Sequence, residues 1–349
     1  MDNLKNYFRL LAEDKPVDAP STFLYPLLEL AAWFYGQGVR LFRWLYEKKI
    51  LKRKKLPFPV ISVGNLTWGG TGKTPFVEYL ARRICSHRRV PLILTRGYSH
   101  DEVEALQHHL PTAILGVGKD RAKVAAQVLS EKKHVDVAIL DDGFQHVVLE
   151  RDAEIVAVNS LNPFGNGKLL PRGILRESVT VLKTASIVML THVNLVTDEE
   201  LKALKKKITV LAPQAQVLET FMEPLFLYRA RTKTRIFLDK MAKKRVTTFA
   251  AVGTPRSFQL LLQRANMKTV RNFEFLDHHE YTEKEMEQIK QVSLSANAEE
   301  IITTEKDFFR SKELISRVLN PLVLAARLRI VSGEEMLTDR LLRLLGVRQ

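Results

Sequence analysis

Six consecutive residues, Gly69-Gly70-Thr71-Gly72-Lys73-Thr74, are of types that hold a chain of phosphates. Glycines let backbone N–H groups close on phosphate oxygens, a lysine reaches the β- and γ-phosphates, and a threonine hydroxyl ligates Mg²⁺. Pro75 falls in the first turn of the helix expected next, where a missing N–H costs nothing. The full phosphate-loop spacing wants a glycine at position 67, and Thr67 stands there. Further on, an apolar run ends in Asp141-Asp142-Gly143-Phe144-Gln145-His146. An aspartate at the end of a strand beside a phosphate loop is the usual second Mg²⁺ carboxylate. Two adjacent aspartates and a histidine exceed that minimum, although His146 alone also reads as a structural histidine on the turn. Together the two strings point to a nucleoside triphosphate, ATP or GTP, bound with Mg²⁺.

Such a site needs strands that end at it and helices that start at it. Residues 60–63 form a short apolar run before the loop, and Val77, Leu80, Ala81 and Ile84 repeat at helical spacing after it. Further apolar runs at 91–95, 135–140, 154–158 and 186–190 alternate with helical stretches such as 119–129. That alternation predicts an α/β fold, a P-loop NTPase-type parallel sheet flanked by helices. The Gly/Pro-rich stretch 162–177 is a long loop of the kind found beside sites. Past residue 210, two apolar runs at 224–228 and 235–238 flank Arg229–Thr234 and predict a β-ribbon. A second, smaller α/β lobe then follows, with helices at 256–263 and 283–292 and a strand leading to Thr303-Thr304. The expected divisions are 1–55, a membrane-associating segment; 56–215, the nucleotide lobe; 216–245, the ribbon connector; and 246–349, the smaller lobe.

The 349 residues carry 54 Lys plus Arg against 39 Asp plus Glu, a net charge of +15. Such a surplus attracts phosphate in some form. Between Arg40 and Lys55 stand eight of the basic side chains, with Glu47 alone opposing them. Just before lies an aromatic-rich helix in which Leu27, Leu30, Ala31, Phe34, Gly38, Leu41 and Leu45 share one face. Glu29, Arg40, Arg43 and Glu47 fall opposite. Its charge-free run, 30–39, is short of the about 20 apolar residues that span a bilayer. An amphipathic helix with a basic tail suits the surface of an anionic membrane. No zinc, RNP or helix-turn-helix signature accompanies the charge, so nucleic acid is not an expected partner. The single cysteine, Cys85, excludes an intrachain disulfide framework and a cysteine-based zinc site. Residues 1–20 have mixed charge and no apolar core, unlike a signal peptide, and a cytoplasmic setting is expected.

The chain resembles the tetraacyldisaccharide 4′-kinases, the lipid A 4′-kinases of Gram-negative bacteria. The resemblance rests on Phe42-Arg-Trp-Leu-Tyr46, Val63-Gly-Asn-Leu-Thr with the Gly-Lys-Thr loop, Arg96-Gly-Tyr98, Asp101-Glu102 and Gly118-Lys-Asp-Arg121. It continues through Asp141 to His146, Phe164-Gly-Asn-Gly to Leu-Arg-Glu177, Val252-Gly-Thr-Pro255, Phe275-Leu-Asp-His-His279 and Thr304-Glu-Lys-Asp307. It implies transfer of the γ-phosphate of ATP to the 4′-hydroxyl of a tetraacylated glucosamine disaccharide 1-phosphate, at the cytoplasmic face of the inner membrane. It implies Asp101 as the catalytic aspartate, paired with His278 in preference to His279, and with Lys73 and Asp142 also serving catalysis. Thr74, Asp141 and Asp142 would take the Mg²⁺ side, with Glu177 as an additional carboxylate. Arg121 and Arg176 would contact phosphate or substrate, with His146 in the same motif. Asp101 and His278 would come from different lobes and meet in the cleft between them. The competing expectation is a membrane-associated P-loop ATPase or GTPase switch, weakened by the lack of an Asn-Lys-x-Asp guanine-reading string.

Overall fold

The computed structural model describes residues 21–97, 100–277 and 279–347, without the side chains of 21–23, 100–102 and 108. These residues form two compact units. One comprises 21–97, 110–221 and 330–347, the other 100–109 and 222–329.

The first unit opens with α1 (Ser21–Glu47), β1 (Val60–Asn65), α2 (Lys73–Ser86) and β2 (Pro91–Thr95). The next helix, α3 (His100–His109), belongs to the second unit. The first resumes with β3 (Ile114–Val117), α4 (Arg121–Ser130), β4 (Val137–Asp141), β5 (Ala153–Asn159), β6 (Ile187–Thr191) and α5 (Asp198–Leu211). This stretch of it ends in the first half of β7 (Gln216–Arg229). Its sheet runs β7-β6-β5-β1-β4-β2-β3, parallel at each of these pairings. Strands β1, β2, β4, β5 and β6 are buried along their whole length. Helices on both faces bury both sides of such strands, so they read as continuous apolar runs without alternation. α2 buries Phe76, Val77, Leu80, Ala81 and Ile84, the stripe that its spacing predicts. β1 lies between β4 and β5, so the chain departs to opposite sides of it. Open α/β sheets bind ligands at such a switch point, beyond the carboxyl ends of the strands.

In the second unit, β8 (Arg235–Ile236) folds back antiparallel on β7, with Leu227 opposite Ile236 and Tyr228 opposite Arg235. There follow β9 (Arg245–Ala250), α6 (Pro255–Arg264), β10 (Lys268–Glu274), α7 (Glu283–Ser295), β11 (Glu300–Thr304), α8 (Glu305–Arg310), α9 (Lys312–Val318) and β12 (Leu322–Ser332). β10, β9, β11 and β12 pair in that order, all parallel. α3 packs on α8, where the His109 ring meets Phe309 edge-on at 5.9 Å. The chain segments holding Asp101 and position 278 therefore belong to one unit, contrary to the expectation that they come from different lobes. The reason is local: α3 docks on α8 instead of returning to the parallel sheet. The last helix, α10 (Glu334–Leu344), belongs to the first unit and meets α2. Tyr79 Oη donates to Glu334 Oε1 at 2.7 Å, and Arg83 Nη2 to Thr338 Oγ1 at 3.5 Å.

α1 presents its broad apolar stripe outward: Leu27 is 67% exposed, Phe34 61% and Trp33 57%. The side turned to the protein is a narrower stripe that includes Leu28, Ala32, Gly36 and Arg43. Arg43, expected on a solvated face, is instead half-buried against the protein. Among the described residues, no helix is long and apolar enough to cross a membrane.

Candidate active site

The loop after β1 enters α2 through Gly72, whose φ of 75° is left-handed and favours glycine. Lys73 and Thr74 thus open α2, where unsatisfied N–H groups favour an anion. Thr67 is explained by its neighbours. It pairs antiparallel with Leu175, while Trp68 N donates to Ile174 O and Arg176 N to Leu66 O, each at 2.7 Å. The long 162–177 segment therefore stitches itself along residues 66–68. An extended, paired backbone needs no glycine.

The aspartate turn is locked onto the same strand end. Gly143 N donates to Val63 O at 2.9 Å, and Gln145 Nε2 to Asn65 O at 2.9 Å. Gly64 approaches so closely that a Cβ there would lie 2.4 Å from Phe144 Cβ and 2.5 Å from Phe144 N. Asp142, with a φ of 51°, is turned toward the loop. Lys73 Nζ lies 3.4 Å from Asp142 Oδ1, and Arg176 Nη1 donates to both Asp142 oxygens at 2.9 Å. Burial pushes the Asp142 carboxyl up, but Lys73, Arg176 and Arg121 outweigh it and hold the group below its ordinary value. Burial lowers the Lys73 ammonium below its ordinary value, against the pull of Asp142. Asp141 is buried at the end of β4. The hydroxyl of Thr71 is buried with no hydrogen-bond partner among the described residues.

Other expected site residues have further tasks. Arg121 is buried and donates to the backbone carbonyls of Asp141 and Asp142, at 2.8 and 3.4 Å, so it shapes the turn. Glu177 is buried, and its carboxylate is taken up by Arg43. Nη2 donates to Oε1 at 2.9 Å, Nε reaches Oε2, and the guanidinium lies 4.7 Å from the Phe144 ring centre. His146 is held down at about 4 by burial and then by Arg121 and Arg151, so its imidazole is neutral at pH 7. The Asp101 side chain and all of His278 lie outside the described residues.

In the second unit, the Thr304–Asp307 string has a capping role. Thr304 caps α8, with Asp307 N donating to its Oγ1 at 3.2 Å. Buried Asp307 accepts from Ala251 N, Tyr281 Oη and Thr304 Oγ1 at 2.9, 2.8 and 2.6 Å.

A model of the tetraacyldisaccharide-1-P 4′-kinase family matches residues 24–105 and 99–346. The chain belongs to that family. It is a kinase of lipid A biosynthesis. Among its relatives is the probable mitochondrial tetraacyldisaccharide 4′-kinase of Arabidopsis thaliana, 34% identical over 88% of this chain and 87% of that protein. The tetraacyldisaccharide 4′-kinase of Syntrophus aciditrophicus is 32% identical over 94% of this chain and 95% of its own. The crystal structure of LpxK from Aquifex aeolicus in complex with ATP superposes with a TM-score of 0.68 at 27% identity, covering 93% of this chain and 99% of that one.

Three residues that brace the loop and the aspartate turn have no role that the sequence predicts: Arg43, Asn65 and Gln145. Arg43 carried a signal. It continues the helical stripe of Leu28, Ala32 and Gly36, which the larger aromatic stripe overshadows. Asn65 and Gln145 act through single contacts between strand ends and carry no periodicity.

Proposed function

We propose that this kinase moves the γ-phosphate of ATP to the 4′-hydroxyl of a tetraacylated glucosamine disaccharide 1-phosphate, with its charge handled by Lys73, Arg176 and the Asp141-Asp142 pair. The observation that carries the assignment is the Lys73–Asp142–Arg176 cluster at the start of α2. Phosphoryl transfer asks mainly for positioning and for neutralisation of phosphate charge. Lys73, leading a helix whose N-terminus favours anions, is the residue for the β- and γ-phosphates. Arg176 holds Asp142 from the other side and is the second cation at the transferred group. Thr74, Asp141 and Asp142 supply only oxygen donors, which fits Mg²⁺. Bound there, the ion would neutralise developing phosphate charge. ATP is favoured as donor by its presence in the Aquifex aeolicus relative. Asp101 is the residue we assign to accept the acceptor hydroxyl's proton, with His278 orienting it.

The outward apolar stripe of α1 and the basic run 40–55 suit an anionic membrane surface, where the acyl chains of the acceptor reside. We place the enzyme on the cytoplasmic face of the inner membrane on that ground. The test mixes protein, Mg·ATP and the tetraacyl disaccharide 1-phosphate and follows the lipid by mass spectrometry. A bisphosphorylated product is expected. ATP hydrolysis without one would favour a nucleotide switch.

A further inference from the structure

α1 does more than face outward. On its inner side, two residues reach consecutive positions of the segment that borders the phosphate loop. Tyr35 Oη donates to Arg176 O at 2.9 Å, and Arg43 grips Glu177 through Nη2 at 2.9 Å and through Nε. Arg43 Nη2 also donates to Phe144 O at 3.3 Å. The pair is enclosed: the Arg43 side chain is 13% exposed and that of Glu177 2%. Gly36 sits tight against Leu169 of the same segment, since a Cβ there would lie 2.7 Å from Leu169 Cδ1. Arg176, one residue before Glu177, is the side chain that clasps Asp142.

We infer that Arg43 is a positioning residue of the phosphoryl-transfer site, acting through Glu177 to hold Arg176 on Asp142. The amphipathic helix is thereby a structural part of the nucleotide site as well as the surface-binding element. The argument is electrostatic. A carboxylate buried as deeply as Glu177 requires a partner, and removal of one member of a buried pair leaves an uncompensated charge. Without Arg43, Glu177 either draws water in beside the Phe144 ring or draws on Arg176, its sequence neighbour. Either outcome loosens the clasp on Asp142. A small misplacement at a reacting centre is enough to lower turnover by orders of magnitude.

The inference rests on the kinase reading above, and the experiment separates the two. Arg43→Met, Arg43→Lys, Glu177→Gln and the Arg43→Met/Glu177→Gln double variant are compared with wild type on detergent-dispersed acceptor. Urea melts confirm folding of each. The measured quantities are kcat, lipid KM and the Kd of a fluorescent ATP analogue. Arg43→Met is expected to lower kcat about tenfold or more and to weaken nucleotide binding, with lipid KM within about threefold of wild type. Residues that act as one unit are non-additive, so the double variant should lose no more than the worse single one. Arg43→Lys, which keeps a cation, should fall between. If Arg43→Met fails to fold, Arg43→Lys and the Tyr35→Phe variant read the same quantities. A variant set that raises lipid KM while kcat and nucleotide Kd stay within about twofold would reduce Arg43 to a membrane-facing cation and overturn the inference. Additive losses in the double variant would do the same. Should wild type yield no bisphosphorylated lipid, the acceptor assignment fails, and the nucleotide Kd values still decide the role of Arg43.

Discussion

Gly64→Ala is the most searching single substitution for the site's geometry. The new methyl would lie 2.4 Å from Phe144 Cβ and 2.5 Å from Phe144 N. Ordinary contact begins near 3.4 Å, so β1 and the Asp141-Asp142 turn must part by about 1 Å. Neither side yields readily. Gly64 is in the middle of the sheet, and Phe144 is wholly buried. Forcing a methylene into such packing costs about 1–3 kcal/mol or more. The same displacement carries Asp142 away from Lys73, and a 1 Å error at a reacting centre costs roughly 100-fold in rate. Urea denaturation and steady-state kinetics on one preparation read both effects. A lower unfolding midpoint together with a kcat reduced by about two orders of magnitude is expected. Loss of stability with kcat intact would mean that the Gly64–Phe144 contact does not set the Lys73–Asp142 spacing, and the reasoning would be wrong.

Three further outcomes are expected. Asp101→Ala should reduce turnover by about 100-fold or more while ATP KM stays nearly constant, as for loss of a general base; a large rise in ATP KM with turnover intact removes that role. Burial holds His146 and His192 at about 4, against an ordinary 6.5. The unfolded chain therefore takes up protons that the folded one refuses, so stability should fall as pH drops from about 6.5 to 4, and His146→Gln should flatten that slope in urea melts. Finally, Leu30→Asp with Phe34→Asp should abolish flotation with phosphatidylglycerol vesicles and leave the melting temperature unchanged, because both side chains are exposed; retained flotation would assign membrane contact elsewhere.

The parts of this chain that sequence reveals are those with strong local signals. The parallel strands announce themselves as largely apolar runs, and α2 through Val77, Leu80, Ala81 and Ile84. The glycine loop and the paired aspartates are equally plain, because their residue types and spacing are distinctive. Long-range choices are harder to read. Whether α3 docks on the parallel sheet or on α8 depends on a surface some two hundred residues away. The orientation of α1 is similar. Two stripes compete on it, and the one richer in aromatic area turns outward, while the one carrying Arg43 turns in. Glu177 and Arg121 stand out in the sequence through their motifs, but their partners, a helix side chain and two backbone carbonyls, are fixed only by tertiary packing.

The first unit has a consequence for how the protein is made. Its nucleotide-binding part is written in three separate stretches of the chain, and α10, which meets α2 through Glu334 and Thr338, is the last of them. Domains usually fold in order as they leave the ribosome. Here the second unit is an interruption that emerges whole before the first is complete. During synthesis the outer side of α2, from Tyr79 to Arg83, must wait uncovered for more than two hundred residues. A chain stopped just short of α10 would hold Lys73, Asp142 and Arg176 and still lack the cover of the helix that presents Lys73.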